Sequence, residues 1–156
     1  MGLDMYLKAN CTVYASTRST AETRRDISLV LKKIGLTRDD LDAGSPSVSI
    51  GINVGYWRKA NSIHNWFVEN VQGGVDNCQE SYVDREQLQE LRDICNEVLQ
   101  DNSKSEKLLP PKSGFFFGST EMGPDYILDL EHTVAIIDKC LSDRFKGFTF
   151  YYRSSW

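Results

Sequence analysis

The sequence predicts an α+β fold in a single domain spanning residues 1–156, with a mixed or antiparallel sheet of three to four strands packed against about four helices. Several segments alternate apolar and polar residues, which is typical of half-buried strands. Other segments repeat apolar residues at helical spacing. Strands with one polar face suit a sheet that helices cover on one side only. The length of 156 residues is close to that of one typical domain.

Three segments are expected to be strands. In residues 3–13 every second residue is apolar, and in residues 148–153 aromatic residues alternate with polar ones. In residues 48–57 the alternation places Tyr56 on the apolar face and Trp57 with Asn53 on the polar face. Gly51 and Gly55 inside this strand predict a bulge or a close approach of another backbone. Residues 114–119 are expected to add a short fourth strand.

Four segments show helical periodicity and carry end signals. The first has Ser19 or Thr20 as its cap and Gly35 as its stop. The second is expected to begin at Arg58 and to run to about residue 72. The third and fourth begin with recognisable signals, which are Asp84 with Gln87 in a capping box and Pro124 in a first turn.

Composition excludes several classes of protein. A net charge of -4 and a pI near 5.2 argue against general nucleic-acid binding, which requires a basic surface. No apolar run approaches the roughly 20 residues that cross a bilayer, and no export signal is evident. We therefore expect a cytoplasmic protein without membrane association. The four cysteines show no C-x-x-C spacing, so we expect reduced thiols, no metal site and no cofactor.

Large rings and hydrogen-bonding side chains are concentrated in residues 56–67, 114–119 and 151–156, which together contain all three tryptophans. Rings supply contact area at a low entropic cost and polar groups supply direction, so this mixture is typical of a recognition surface. A core rich in Trp and Phe would produce the same pattern. The sequence leaves both interpretations open.

The predicted site joins the start of the second helix to the polar face of the sheet. A helix N-terminus favours anions, and Arg58 adds positive charge there. The face of the sheet opposite the helices is expected to show Tyr6, Lys8, Tyr14 and Asn53, together with Trp57, Tyr151 and Arg153. The predicted ligand-binding residues are Trp57, Arg58, Asn61, His64, Asn65, Tyr151 and Arg153. The expected partner is a small anionic or nucleotide-like molecule or a host protein, and an oligomer is compatible with the sequence.

A catalytic alternative uses His64 with Asp76 or Cys78. Imidazole can accept a thiol proton, and a carboxylate can orient the ring, so these residue types suit a small hydrolase or transferase. No spacing in the chain requires the three side chains to meet.

The chain resembles a family of small bacteriophage and prophage accessory proteins. The resemblance rests on the opening MGLDMYL, GYWRKAN at residues 55–61, GVDNC at 74–78, GFFFGS at 114–119 and the closing SSW. It covers nearly the whole chain and brings no catalytic residues with it. It implies a protein acting in the host bacterial cytosol, with counter-defence as a function, or alternatively a structural or oligomeric phage component.

Overall fold

The computed structural model describes residues 2–16, 18–44 and 46–156. Within these ranges the chain forms a four-stranded antiparallel sheet and five α-helices, which confirms the predicted α+β class. The strands are β1 (Asp4–Tyr14), β2 (Ser47–Arg58), β3 (Ser81–Val83) and β4 (Thr149–Ser155). The helices are α1 (Ala21–Lys33), α2 (Asn61–Asn70), α3 (Arg85–Gln100), α4 (Ser105–Leu108) and α5 (Pro124–Leu141).

The strand order is β2-β1-β4-β3, so the first and last strands of the chain are neighbours at the centre of the sheet. The short strand β3 pairs antiparallel with β4, with Ser81 opposite Tyr152 and Val83 opposite Phe150. This order places residues of all four strands side by side across one face of the sheet.

The contacts divide the chain into two compact units. The larger comprises Met1–Ala9 and Ile52–Trp156, and the smaller comprises Asn10–Gly51. In the smaller unit, Ile27 and Leu31 of α1 are buried together with Ala15.

In the larger unit, helices cover one face of the sheet, and α3 packs along α5. Alternate residues of β1 and β4 point into this core, so that Leu7, Phe150 and Tyr152 are fully buried. The helices contribute apolar side chains to the same core, among them Ile63, Phe67, Leu88, Leu91, Leu130 and Ile137. Among the described residues, none of the helices combines the length and the apolar character that a membrane crossing requires.

Three of the four predicted helix starts are confirmed. Thr20 caps α1 by accepting a hydrogen bond from the Thr23 amide at 3.1 Å. Asp84 and Gln87 form a capping box, in which the Gln87 amide donates to Asp84 Oδ1 at 2.6 Å. Pro124 occupies the first turn of α5. These signals are local in sequence, which explains why they could be recognised without knowledge of the tertiary structure.

Two predicted boundaries are wrong. Arg58 is the last residue of β2 and does not begin a helix, since the chain turns at Lys59, where φ is 60°, before α2 begins at Asn61. Residues 114–119 form a turn, and the fourth strand is Ser81–Val83 instead.

The predicted alternation along β2 fails after Val54. Val54 and Gly55 are consecutive and both are buried, so the faces exchange at this point. Asn53 therefore lies on the open face as predicted, but Tyr56 also lies there, with its ring centroid 5.4 Å from that of Tyr6. Trp57 then enters the core and is only 2% exposed, which contradicts its expected place on the open face.

The expected close approach at Gly55 involves a side chain. A Cβ atom at this position would lie 2.8 Å from Ile136 Cγ2, which is shorter than any normal contact. Glycine is thus required where α5 crosses the sheet.

Candidate functional site

Trp57 stabilises the interior of the protein. Its indole Nε1 donates a 2.9 Å hydrogen bond to Thr133 Oγ1 on α5, and both residues are buried. The Trp57 ring also lies near Phe67, with 6.1 Å between the ring centroids. For Trp57, the interpretation of the aromatic residues at 56–67 as part of the core is therefore correct.

His64 is the buried centre of a hydrogen-bonded chain. Its Nε2 lies 3.0 Å from Asp76 Oδ2, and its Nδ1 lies 2.7 Å from the Tyr152 hydroxyl. A carboxylate only accepts hydrogen bonds, so Nε2 donates to Asp76, and Nδ1 of the neutral ring accepts from Tyr152. The other oxygen of Asp76 accepts a 3.1 Å hydrogen bond from Trp156 Nε1. The chain thus ties α2 to the end of β4.

The structure therefore brings His64 and Asp76 together, as the catalytic alternative requires. The imidazole is nevertheless enclosed, because His64 is 1% exposed and both ring nitrogens already have partners. Cys78 is half-buried and makes no recorded hydrogen bond to His64 among the described residues. A substrate would have to displace Tyr152 or Asp76 before it could reach the ring.

Tyr152 is fully buried, and burial raises the pKa of its hydroxyl well above the ordinary value of 10.0, with Asp76 and Cys78 adding to the shift. Its ring stacks on that of Phe67 at 3.9 Å between centroids. Tyr152 therefore stays protonated and remains a hydrogen-bond donor to His64.

Asn61 holds the loop at residues 112–119, which contains the aromatic residues Phe115, Phe116 and Phe117. Its Nδ2 donates to the carbonyl of Phe117 at 3.1 Å and to that of Ser119 at 2.7 Å. Its Oδ1 accepts from the Lys112 amide at 3.1 Å. Because these contacts engage both ends of the amide, Asn61 positions the loop and has little capacity left for a ligand.

A cavity of about 390 Å³ lies at the start of α2, and we call it the helix-start cavity. Its walls include Arg58, Lys59, Asn61, Ser62, Asp125 and Asp129, together with residues of the loop fastened by Asn61. One wall thus carries two cations, whereas Glu121 and the wall formed by α5 carry three carboxylates.

Asp129 is a half-buried carboxyl in the helix-start cavity. Burial raises its pKa from 3.8 to about 6, and Asp125 adds to this effect while His132 opposes it. Near neutral pH this group therefore exchanges protons more readily than an ordinary aspartate.

A second cavity, of about 320 Å³, lies on the face of the sheet opposite the helices, and we call it the sheet-face cavity. It is lined by Tyr6, Lys8, Asn53, Glu80, Tyr151, Arg153 and Ser155. Asn53 comes from β2, Lys8 from β1, Arg153 from β4, and Glu80 immediately precedes β3, so the lining follows the strand order across the sheet. Two cations and one carboxylate among these residues give the cavity a formal charge of +1.

The aromatic rings of this face also contact one another. Tyr151 meets Tyr82 edge to face across the paired strands β4 and β3, with 5.9 Å between ring centroids. Tyr6 meets Tyr56, whose hydroxyl donates to Asp4 Oδ1 at 2.5 Å. Rings held in this way keep their faces in place for a ligand.

The predicted site residues are thus distributed over three places. Arg58 and Asn61 line the helix-start cavity, whereas Tyr151 and Arg153 line the sheet-face cavity. Trp57 and His64 are buried in the core, and Asn65 is half-buried and lines neither cavity. The single combined site expected from the sequence is therefore not present as one cavity.

Sequence reasoning missed Ser62 and Asp129 of the helix-start cavity and Glu80 and Ser155 of the sheet-face cavity. Ser62 follows Asn61 at the helix start, a position from which a hydroxyl can reach an anion. This signal was available in the sequence. Ser155 continues the alternation of Tyr151 and Arg153, so it too could have been found from the sequence. Glu80 and Asp129 belong to segments whose packing the sequence does not reveal.

Comparisons with protein-family models, with curated proteins and with solved structures found no match.

Proposed function

We propose that this protein is a binding protein that holds a single nucleotide-like, anionic ligand in the sheet-face cavity. The observation that carries the proposal is the convergence of two tyrosines, two cations and an amide side chain on one open cavity. Ligand pockets commonly measure ~300–1,000 Å³. A volume of about 320 Å³ suits one small molecule and not a nucleic-acid strand.

The charges favour an anion at one part of the cavity. Lys8 and Arg153 belong to the neighbouring strands β1 and β4 and both line the cavity. A guanidinium binds phosphate through paired hydrogen bonds, and an ammonium adds a point charge. A phosphate between the two would be neutralised from both strands.

The remaining lining residues match the other parts of a nucleotide. Tyr6 and Tyr151 are half-buried and offer ring faces on which a base can stack. Asn53 supplies an amide that both donates and accepts, and Glu80 accepts hydrogen bonds from amino or hydroxyl groups. The rings and polar side chains of residues 151–156 would thus serve to bind the base and the phosphate at this cavity.

Holding a ligand fits this site better than converting one. Among the described residues that line the cavity there is no histidine or cysteine, and the buried His64 lies elsewhere. Together with the resemblance to bacteriophage accessory proteins, this supports sequestration of a nucleotide-like molecule in an infected host, which is a form of counter-defence.

The test is calorimetric titration of the purified protein with a panel of mononucleotides and cyclic nucleotides. After incubation, the protein is denatured and the released ligand is analysed by chromatography. We expect one equivalent to bind and to be recovered chemically unchanged. Consumption of more than one equivalent of nucleotide would show that the protein is an enzyme. If no member of the panel binds, the proposal is contradicted.

Matched tyrosine variants locate the binding. Tyr151→Ala should weaken binding by about 1–3 kcal/mol, the usual contribution of a ring that stacks on a base. Tyr14→Ala is the control, because Tyr14 is 59% exposed and does not line the cavity. Equal weakening by both variants would assign the effect to something other than this cavity.

A further inference from the structure

The first turn of α2 lacks a side-chain cap. Its N-cap residue is Ala60, and no side chain accepts a hydrogen bond from the turn. An α-helix leaves its first amides without intrahelical partners, and the helix dipole adds partial positive charge there. The amide of Ser62, a residue that lines the helix-start cavity, is therefore available to an acceptor from outside the helix.

Ser62 gives an independent indication of a ligand at this place. The residue is 3% exposed and lines the helix-start cavity. Within the part of the chain that the structure describes, its hydroxyl makes no hydrogen bond to the protein. The hydroxyl itself is still reached by solvent, so the accessible part of this otherwise buried side chain is turned toward the cavity, where a ligand oxygen can take the place of water.

The two walls of the cavity define the chemistry of the ligand. Arg58 and Lys59 stand beside the free helix start and attract an anion. Glu121 and two aspartates of the α5 wall, Asp125 and Asp129, accept hydrogen bonds and would repel a molecule that is anionic throughout. The cavity is thus complementary to a molecule that has an anionic group at one end and several hydrogen-bond donors at the other.

We propose that the helix-start cavity binds a small phosphate ester whose other end carries hydroxyl or amino groups. The phosphate accepts hydrogen bonds from the hydroxyl and the amide of Ser62 and from Arg58. The hydroxyl or amino groups donate to Asp125 and Asp129. The site shares no lining residue with the sheet-face cavity, so each can be tested separately.

The test is a nuclear magnetic resonance titration of the ¹⁵N-labelled protein with ribose 5-phosphate, inorganic phosphate and ribose. Ribose 5-phosphate should shift the amide signals of Ser62 and Ile63 in a saturable way, with a Kd about 10-fold below that of inorganic phosphate. Ribose alone should leave these signals in place. No saturable shift at Ser62, or equal affinity for phosphate and its ester, would overturn the proposal.

Variants of Ser62 and Arg58 test which side chains contact the phosphate. Ser62→Ala and Arg58→Gln should each weaken ribose 5-phosphate binding about 10-fold, as expected for a lost contact to a charged group. Arg58 is exposed, so its variant should fold normally even if Ser62→Ala does not. Arg144→Gln, which removes an exposed arginine outside both cavities, should leave this affinity unchanged. Unaltered binding by Arg58→Gln would overturn the assignment of the phosphate to the helix start.

Discussion

His64 and Asp76 are joined by a 3.0 Å hydrogen bond between Nε2 and Oδ2, and the imidazole is almost completely buried. The same ring is held on its other side by the Tyr152 hydroxyl at 2.7 Å. Two side chains that the sequence offered as catalytic partners thus meet inside the protein, where they connect α2, the loop after it and β4. This arrangement makes stability the property most sensitive to their replacement.

We expect His64→Ala to lower the free energy of unfolding by about 2–4 kcal/mol, because it opens a cavity and leaves the buried Tyr152 hydroxyl without its acceptor. Urea denaturation measures this loss. His132→Ala serves as the control, since His132 is exposed and makes one hydrogen bond, to the carbonyl of Tyr56. A loss at His64 no larger than that at His132 would show that the buried chain contributes little.

Asn61→Ala should release the loop at residues 112–119. It removes three hydrogen bonds at once, to Phe117, Ser119 and Lys112. We expect a loss of about 2–3 kcal/mol of stability and faster amide hydrogen exchange throughout the loop. Asn65→Ala is the matched control on the same helix and should change stability by less than about 0.5 kcal/mol. Unchanged exchange in the Asn61 variant would contradict the role given to this side chain.

Asp129 makes stability depend on pH. Its folded-state pKa of about 6 lies above the ordinary value of 3.8, so the folded protein binds more protons between these limits than the unfolded chain does. Stability should therefore fall as pH rises from about 4 to about 6 and then level off. Asp129→Asn should remove this fall and, allowing for solvent screening, stabilise the protein at pH 7 by about 1 kcal/mol.

Urea denaturation at several pH values checks the Asp129 prediction. Glu131→Gln is the control, because Glu131 is an exposed carboxylate on the same helix. It should preserve the pH dependence of the unmodified protein. If Asp129→Asn also preserves it, another group is responsible.

The features that the sequence predicted correctly are those encoded by neighbouring residues. The capping box of Asp84 with Gln87 and the proline at position 124 need no tertiary information. The placement of Lys8, Asn53, Tyr151 and Arg153 on one open face followed from strand alternation in the same way, and the structure brings these four residues to one cavity.

The features that the sequence could not predict depend on contacts between distant segments. The exchange of faces at Val54 and Gly55 occurs where α5 crosses β2, and it carries Trp57 from the open face into the core. Strand β3 has three residues and therefore shows no alternation of its own. The engagement of Asn61 with the loop at 112–119 joins residues more than 50 positions apart, which no local pattern reveals.

The most direct test of the central claim is the calorimetric Kd of the nucleotide that the unmodified protein binds most tightly, measured again for Arg153→Gln. Arg153 lines the sheet-face cavity, so loss of its charge-assisted contact should raise the Kd about 10-fold or more. Arg144→Gln, which removes an exposed arginine outside this cavity, should leave the Kd unchanged. An identical Kd for the Arg153 variant and the unmodified protein would contradict the assignment of the ligand to the sheet face.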